Sequence, residues 1–145
     1  MTRSLSHCLA VVALLVSAHS AAAAGPKAPE GEWTVQLQPS PNNTLKGTTE
    51  AYTDTITIKD GQFVTAVNAK YGFAPVKCSV KMARGKTTVV AELSDEKHGK
   101  TEYQLTFSGK GKDKLTDVSG QMRWGKQGED GSLKLAEYTV TGTKK

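Results

Sequence analysis

Histidine and cysteine are scarce in this chain of 145 residues, with three of the first and two of the second. His7, His19 and Cys8 all fall within the first 24 residues, which leaves the remainder with His98 and Cys78. A lone cysteine excludes an internal disulfide, so the fold must stand on packing. One cysteine and one histidine are too few for a metal site built on paired ligands. Aromatic residues make up only 6% of the chain, so each one matters to a core. Long apolar runs are also missing. Residues 8–18 (CLAVVALLVSA) fall short of the roughly 20 residues a helix needs to cross a bilayer. No glycine-rich loop leads into a helix, which excludes a phosphate cradle; Gly109-Lys110-Gly111-Lys112 joins two strand-like runs. After residue 30 no segment sustains helical periodicity.

What is present begins with an export signal. Arg3 gives a positive start, residues 8–18 an apolar run, and Ala22-Ala23-Ala24 the small residues a signal peptidase reads. Residues 1–24 are therefore expected to be a secretory signal peptide, cleaved near Ala24 and placing the protein in the periplasm or outside the cell. Residues 25–30 (GPKAPE) read as a flexible lead-in, and residues 31–145 as one domain, long enough for one core.

The net charge is +5, falling to +4 when Arg3 is lost with the signal. The lysines are scattered over turns and outward strand positions, where they are expected to solvate the exterior and protect strand edges, the alternative being attraction to anionic lipid headgroups or polysaccharide. No recognition motif accompanies them, so nucleic acid is not an expected partner. No membrane span is expected.

Period-two alternation dominates the domain. The first strand runs over about 32–38, with Trp33, Val35 and Leu37 on one face. A long loop follows to about Ala51. Asp60-Gly61 is a hairpin turn signal that sets Lys59 opposite Gln62, Ile58 opposite Phe63 and Ile56 opposite Thr65. Ile56, Ile58, Phe63 and Val67 then share a face, as the hydrophobic pattern demands. A turn at Arg84-Gly85 would set Val80 opposite Val89, Cys78 opposite Ala91 and Val76 opposite Leu93, with Met82 on the same inward face. Strands at about 101–107, 115–124 and 134–142 complete the series. Leu115 is out of phase and predicts a bulge. Leu133 and Leu135 fit no face.

Eight meandering strands, each with one apolar face, must bury that face. Closing the sheet does so and removes both edges. The expected fold is all-β, an eight-stranded antiparallel up-and-down barrel, with a two-sheet β-sandwich as the alternative. The opening Gly31-Glu32-Trp33, the long first loop, the short hairpins and the domain length resemble the lipocalins and related calycin-type barrels. The resemblance implies that Trp33 packs across the closed end and that a basic residue at the end of the last strand, Lys144 or Lys145, covers it. It also implies a barrel that binds a small molecule or a protein. The chain departs from the family in lacking a Thr-Asp-x-x-Tyr segment and a C-terminal helix.

Catalytic chemistry is poorly supplied. Cys78 should point inward and His98 sits in the loop 95–100, which separates the one thiol from the one imidazole. Asp95, Glu96 and His98 read as a solvated turn. The sequence thus predicts a noncatalytic exported barrel, not an enzyme, binding a small apolar ligand. The candidate interior lining is Trp33, Phe63, Tyr103, Phe107, Met122, Trp124 and Tyr138. The alternative is a protein-interaction module with a filled barrel, an inhibitor or envelope accessory factor. Its candidate partner contact is Tyr71 and Phe73, in a loop with Gly72 and Pro75. No metal or cofactor is expected, and the chain is expected to be a monomer.

Overall fold

The computed structural model describes residues 25–41, 43, 50–110 and 114–145. The signal-peptide expectation, residues 1–24, lies outside the described residues, as does most of the first loop. Within them, nine antiparallel strands form one sheet: β1 (Gly31–Pro39), β2 (Tyr52–Lys59), β3 (Gln62–Thr65), β4 (Val76–Lys77), β5 (Ser79–Ala83), β6 (Lys86–Asp95), β7 (Gly99–Ser108), β8 (Asp117–Gln127) and β9 (Leu133–Lys144). A short helix, α1 (Ala66–Lys70), follows β3. The spatial order is β4-β3-β2-β1-β9-β8-β7-β6-β5. One continuous sheet is a nearly closed up-and-down barrel, not two facing sheets.

The count of nine instead of eight comes from one residue. The strand expected over Val76–Met82 is interrupted at Cys78. Before it, β4 pairs with β3 (Gln62 opposite Lys77, Phe63 opposite Val76); after it, β5 pairs with β6 (Val80 opposite Val89). Cys78 therefore stands where the two ends of the sheet meet. Its N–H and its Sγ both donate to the Gly61 carbonyl, at 3.0 and 3.3 Å. Beyond that seam, among the described residues, β5 pairs with β6 alone. Met82, expected inward, is 60% exposed because no wall faces it there.

The hairpin registers follow the turn residues, but in the second hairpin only as far as Ser79 opposite Val90: Cys78 and Val76, expected opposite Ala91 and Leu93, leave that pairing, and Val76 faces Phe63 instead. Asp60 and Gly61 have φ of 52° and 71°, and Arg84 and Gly85 have 51° and 74°, the left-handed pair a two-residue hairpin needs. Ile56 faces Thr65, Ile58 faces Phe63 and Lys59 faces Gln62. β3 ends sooner than its pattern suggests. The N–H of Val67 donates to Asp54 Oδ1 at 3.1 Å and that of Asn68 to Thr65 Oγ1 at 3.1 Å, so α1 begins where Val67 was expected to continue the strand. Five residues are too few to leave a helical period in the sequence.

One end of the barrel is packed shut. Trp33 and Phe107 are fully buried, edge to face, with centroids 4.7 Å apart. Phe63 and Tyr103 lie 5.0 Å apart in the same core. Lys144 Nζ stands 5.5 Å from the Trp33 ring centroid, and Lys145 Nζ meets Glu32 Oε2 at 3.3 Å. Gly31 has φ of 126°, a backbone that favours glycine; a Cβ there would come within 2.9 Å of the flexible end of Lys144, which would have to shift. The lead-in, expected to be flexible over 25–30, docks in its second half. Ala28 packs on the core, Trp33 Nε1 donates to the Pro29 carbonyl at 3.1 Å, and the Glu30 carboxylate accepts from the N–H groups of Asp60 and Gly61 at 2.9 and 3.0 Å.

Candidate functional site

The strands run alternately, so their ends sort into two groups. The Asp60-Gly61 and Arg84-Gly85 turns cap the packed end with Trp33. The start of β2 (Tyr52), the start of β7 (Thr101), the end of β8 (Trp124) and the start of β9 (Ala136, Tyr138) meet at the other end. There the wall opens into a cleft of about 430 Å³, within the usual range for ligand pockets of roughly 300–1,000 Å³.

Two flaps flank this cleft. The first is α1 with the residues after it, giving Val67, Asn68, Tyr71 and Phe73. The second is the β6–β7 hairpin, giving Lys97 and His98. They touch: the His98 ring is 5.4 Å from that of Tyr71 and 6.2 Å from that of Phe73, centroid to centroid. Each is pinned locally. The Phe73 N–H donates to the Asn68 carbonyl at 3.1 Å. Asp95 Oδ1 accepts from the N–H groups of Lys97 and His98 at 2.9 and 2.8 Å and meets His98 Nδ1 at 2.9 Å. The His98 N–H, first, and then its ring hold the Asp95 carboxyl below the usual carboxylate range. Trp124 Nε1 donates to the His98 carbonyl at 2.8 Å, which ties the hairpin to β8. Tyr52 and Tyr138 close another side, edge to face at 5.5 Å.

Beneath the cleft lies a small polar layer in an otherwise apolar core. Asp54, Thr65, Asn68, Thr101 and Tyr103 are all buried. Asp54 uses Oδ1 on the N–H groups of Thr55 and Val67. Its Oδ2, the Asn68 Nδ2 and the Tyr103 hydroxyl have no hydrogen-bond partner among the described residues. Burial drives the Tyr103 phenol well above its ordinary pKa, and Tyr52 and Asp54 nearby add to the rise. The Thr65 hydroxyl opposes it without completing a hydrogen bond. The Tyr52 phenol is raised the same way, by burial first and then by Asp54. Buried polar atoms without partners are uncommon and costly, and they cluster where a fold serves something other than its own stability. Asn68 is 6% exposed and lines the cleft directly.

The residues singled out from the sequence divide between the two ends. Trp33, Phe63, Tyr103 and Phe107 are buried in solid core and do not line the cleft. Met122, Trp124 and Tyr138 do line it. So do Tyr71 and Phe73, considered for a partner contact; Phe73 is buried and Tyr71 is 53% exposed at the rim. The candidate lining omitted Tyr52, Asn68, His98 and Thr101, as well as Val67 and Ala136, although the pattern turns both of those inward, and the rim lysines Lys97, Lys126 and Lys134. The alternation that places Tyr138 on the inner face also places Ala136, so that pair was readable. Asn68 was not, because it depends on α1.

The one thiol and the one imidazole of the domain have separate partners: Cys78 bonds to Gly61 at the packed end, His98 to Asp95 beside the cleft. Among the described residues no group of three His, Cys, Asp or Glu side chains is placed to hold a metal ion. No helix there is long and apolar enough to cross a membrane. No protein-family model, curated protein or solved structure matches the chain.

Proposed function

We propose that this protein is a lipocalin-like exported barrel that binds a small, largely apolar ligand and performs no catalysis. The ligand's seat is the cleft at the open end and not the centre of the barrel. The observation that carries this reading is the cleft's composition. Tyr52, Phe73, Trp124 and Tyr138 supply aromatic walls, Met122 and Ala136 the apolar floor, and Asn68 a convergent polar group. Packing of Trp33 on Phe107 leaves the opposite end to hold the fold together. A covering lysine over Trp33 supports kinship with the calycin-type barrels. Export through residues 1–24 would place the site in the periplasm or outside the cell.

The test is a panel of fatty acids and apolar dyes titrated against the purified protein. Saturable binding that quenches tryptophan fluorescence in the wild type, and quenches it much less in Trp124→Phe, is the expected result. No saturable binding across the panel would sink the proposal.

The exposed Tyr71 ring at the rim favours the second reading, a protein-interaction module. A pull-down from envelope extract compares the wild type with Tyr71→Ala/Phe73→Ala. If both baits recover the same partners, that contact site is rejected.

A further inference from the structure

The cleft has a charge pattern that its apolar walls do not explain. Three lysines, Lys97, Lys126 and Lys134, line it, and no aspartate or glutamate does. None of the three makes an ion pair among the described residues, although Lys100, Arg123 and Lys145 each have a carboxylate partner. Lys126 and Lys134 moreover stand directly opposite each other in the β8–β9 ladder. Like charges at such a cross-strand position repel and weaken the pairing. The neighbouring acids relieve it only in part, by attraction and not by an ion pair among the described residues. Asp130, in the turn joining the strands, attracts Lys134, but its Oδ1 is taken by the N–H and hydroxyl of Ser132. Glu129 lies in the same turn and, with Asp130, shares a second concavity with the two lysines, but it makes no ion pair among the described residues.

Resting on the reading of the cleft as a ligand seat, we propose that its ligand is a small amphipathic carboxylate. The apolar body lies against Trp124, Tyr138 and Phe73, and the carboxylate is held between Lys126 and Lys134. An anion there converts the repulsion of two facing ammonium groups into two attractions. The apolar body supplies the burial that exposed lysines alone cannot. The Asn68 amide, buried at the inner wall, offers a donor to a polar atom at the far end of the body. An anion is available as a free carboxylate in solution or as the headgroup of an anionic membrane. The recessed aromatic walls, with Phe73 and Tyr138 buried, favour the free molecule.

Calorimetric titration with two matched pairs tests the proposal: naphthoate against naphthamide, and decanoate against decanol. In the wild type the acid of at least one pair should bind about fivefold more tightly than its neutral partner, the size expected of exposed charge contacts. The gap should shrink at high salt. In Lys126→Gln/Lys134→Gln it should disappear while the neutral affinity stays the same. That variant removes a repulsive pair of exposed side chains, so its urea midpoint should equal or exceed the wild type's. Equal binding of acid and neutral partner, or a gap that survives the double substitution, overturns this inference and leaves the apolar seat standing. No saturable binding by either pair overturns both. Sedimentation with anionic phospholipid vesicles is the last arm. The protein should stay in the supernatant, and co-sedimentation without binding of the soluble acids would overturn the free-ligand assignment.

Discussion

The indole N–H of Trp124 donates to the main-chain carbonyl of His98 at 2.8 Å, across 26 residues of sequence. This bond fastens the β6–β7 hairpin to β8. Through the ring contacts of His98 with Tyr71 and Phe73 it also steadies the flap after α1. Trp124→Phe keeps an aromatic wall and removes the donor. It should cost about 1 kcal/mol in urea unfolding. Amide exchange over residues 95–99 should accelerate while the Trp33 end stays unchanged. Unaltered exchange in the hairpin would show that the bond is not what holds it.

One buried and one half-buried phenol set an alkaline limit. Tyr52 and Tyr103 have their pKa values raised in the folded protein, chiefly by burial. In the unfolded chain they ionise near pH 10. Their neutral forms therefore contribute stability that is complete below about pH 10 and is lost as pH rises further. Their phenolate absorbance should appear together with loss of the folded circular dichroism signal. A smooth phenolate titration with the fold intact would contradict the burial of the Tyr103 hydroxyl and the partial burial of Tyr52.

The Glu30 carboxylate caps the Asp60-Gly61 turn from outside the hairpin. Glu30→Ala leaves two N–H groups to water and frees the lead-in from the barrel. A stability loss of about 1 kcal/mol is expected in urea unfolding. Limited proteolysis between residues 25 and 30 should speed up. If the cleavage rate stays the same, Pro29 and Ala28 hold the segment without Glu30.

Cys78 at the sheet seam is 8% exposed, and burial raises its thiol pKa. A buried neutral thiol is a poor nucleophile. Alkylation at pH 8 should run at least about tenfold slower in the folded protein than in urea. Rapid alkylation of the folded protein would mean that the β4–β5 seam opens readily.

Much of the barrel was legible from local chemistry. Asp60-Gly61 and Arg84-Gly85 set the hairpin registers because the left-handed backbone of a two-residue turn admits few residue pairs. The alternation of Tyr103, Leu105 and Phe107 set their shared face because strand side chains repeat every second residue. Gly31 and Trp33 marked the start of the wall and its core anchor. The break at Cys78 was not legible, since Val76 to Met82 alternates without a flaw. It arises because neighbouring strands end at different heights, so the chain must change partners. The exposure of Met82 has the same cause. Helix α1 was hidden for another reason. Its first N–H groups are satisfied by Thr65 and by Asp54, which lies on a different strand.

The sequence by itself therefore determined the all-β class, most of the strand faces and the two tight turns, all of which depend on residues next to one another. Only the tertiary structure decided which end of the barrel is filled and which is open. Trp33, Phe107, Trp124 and Tyr138 are equivalent as inward aromatic residues in the strand pattern. They separate only when the sheet closes, as the first two pack against each other and the last two meet the flaps bearing Asn68, Phe73 and His98. The facing of Lys126 and Lys134 is likewise a product of the β8–β9 register, and long-range pairing of that kind cannot be read from either strand alone.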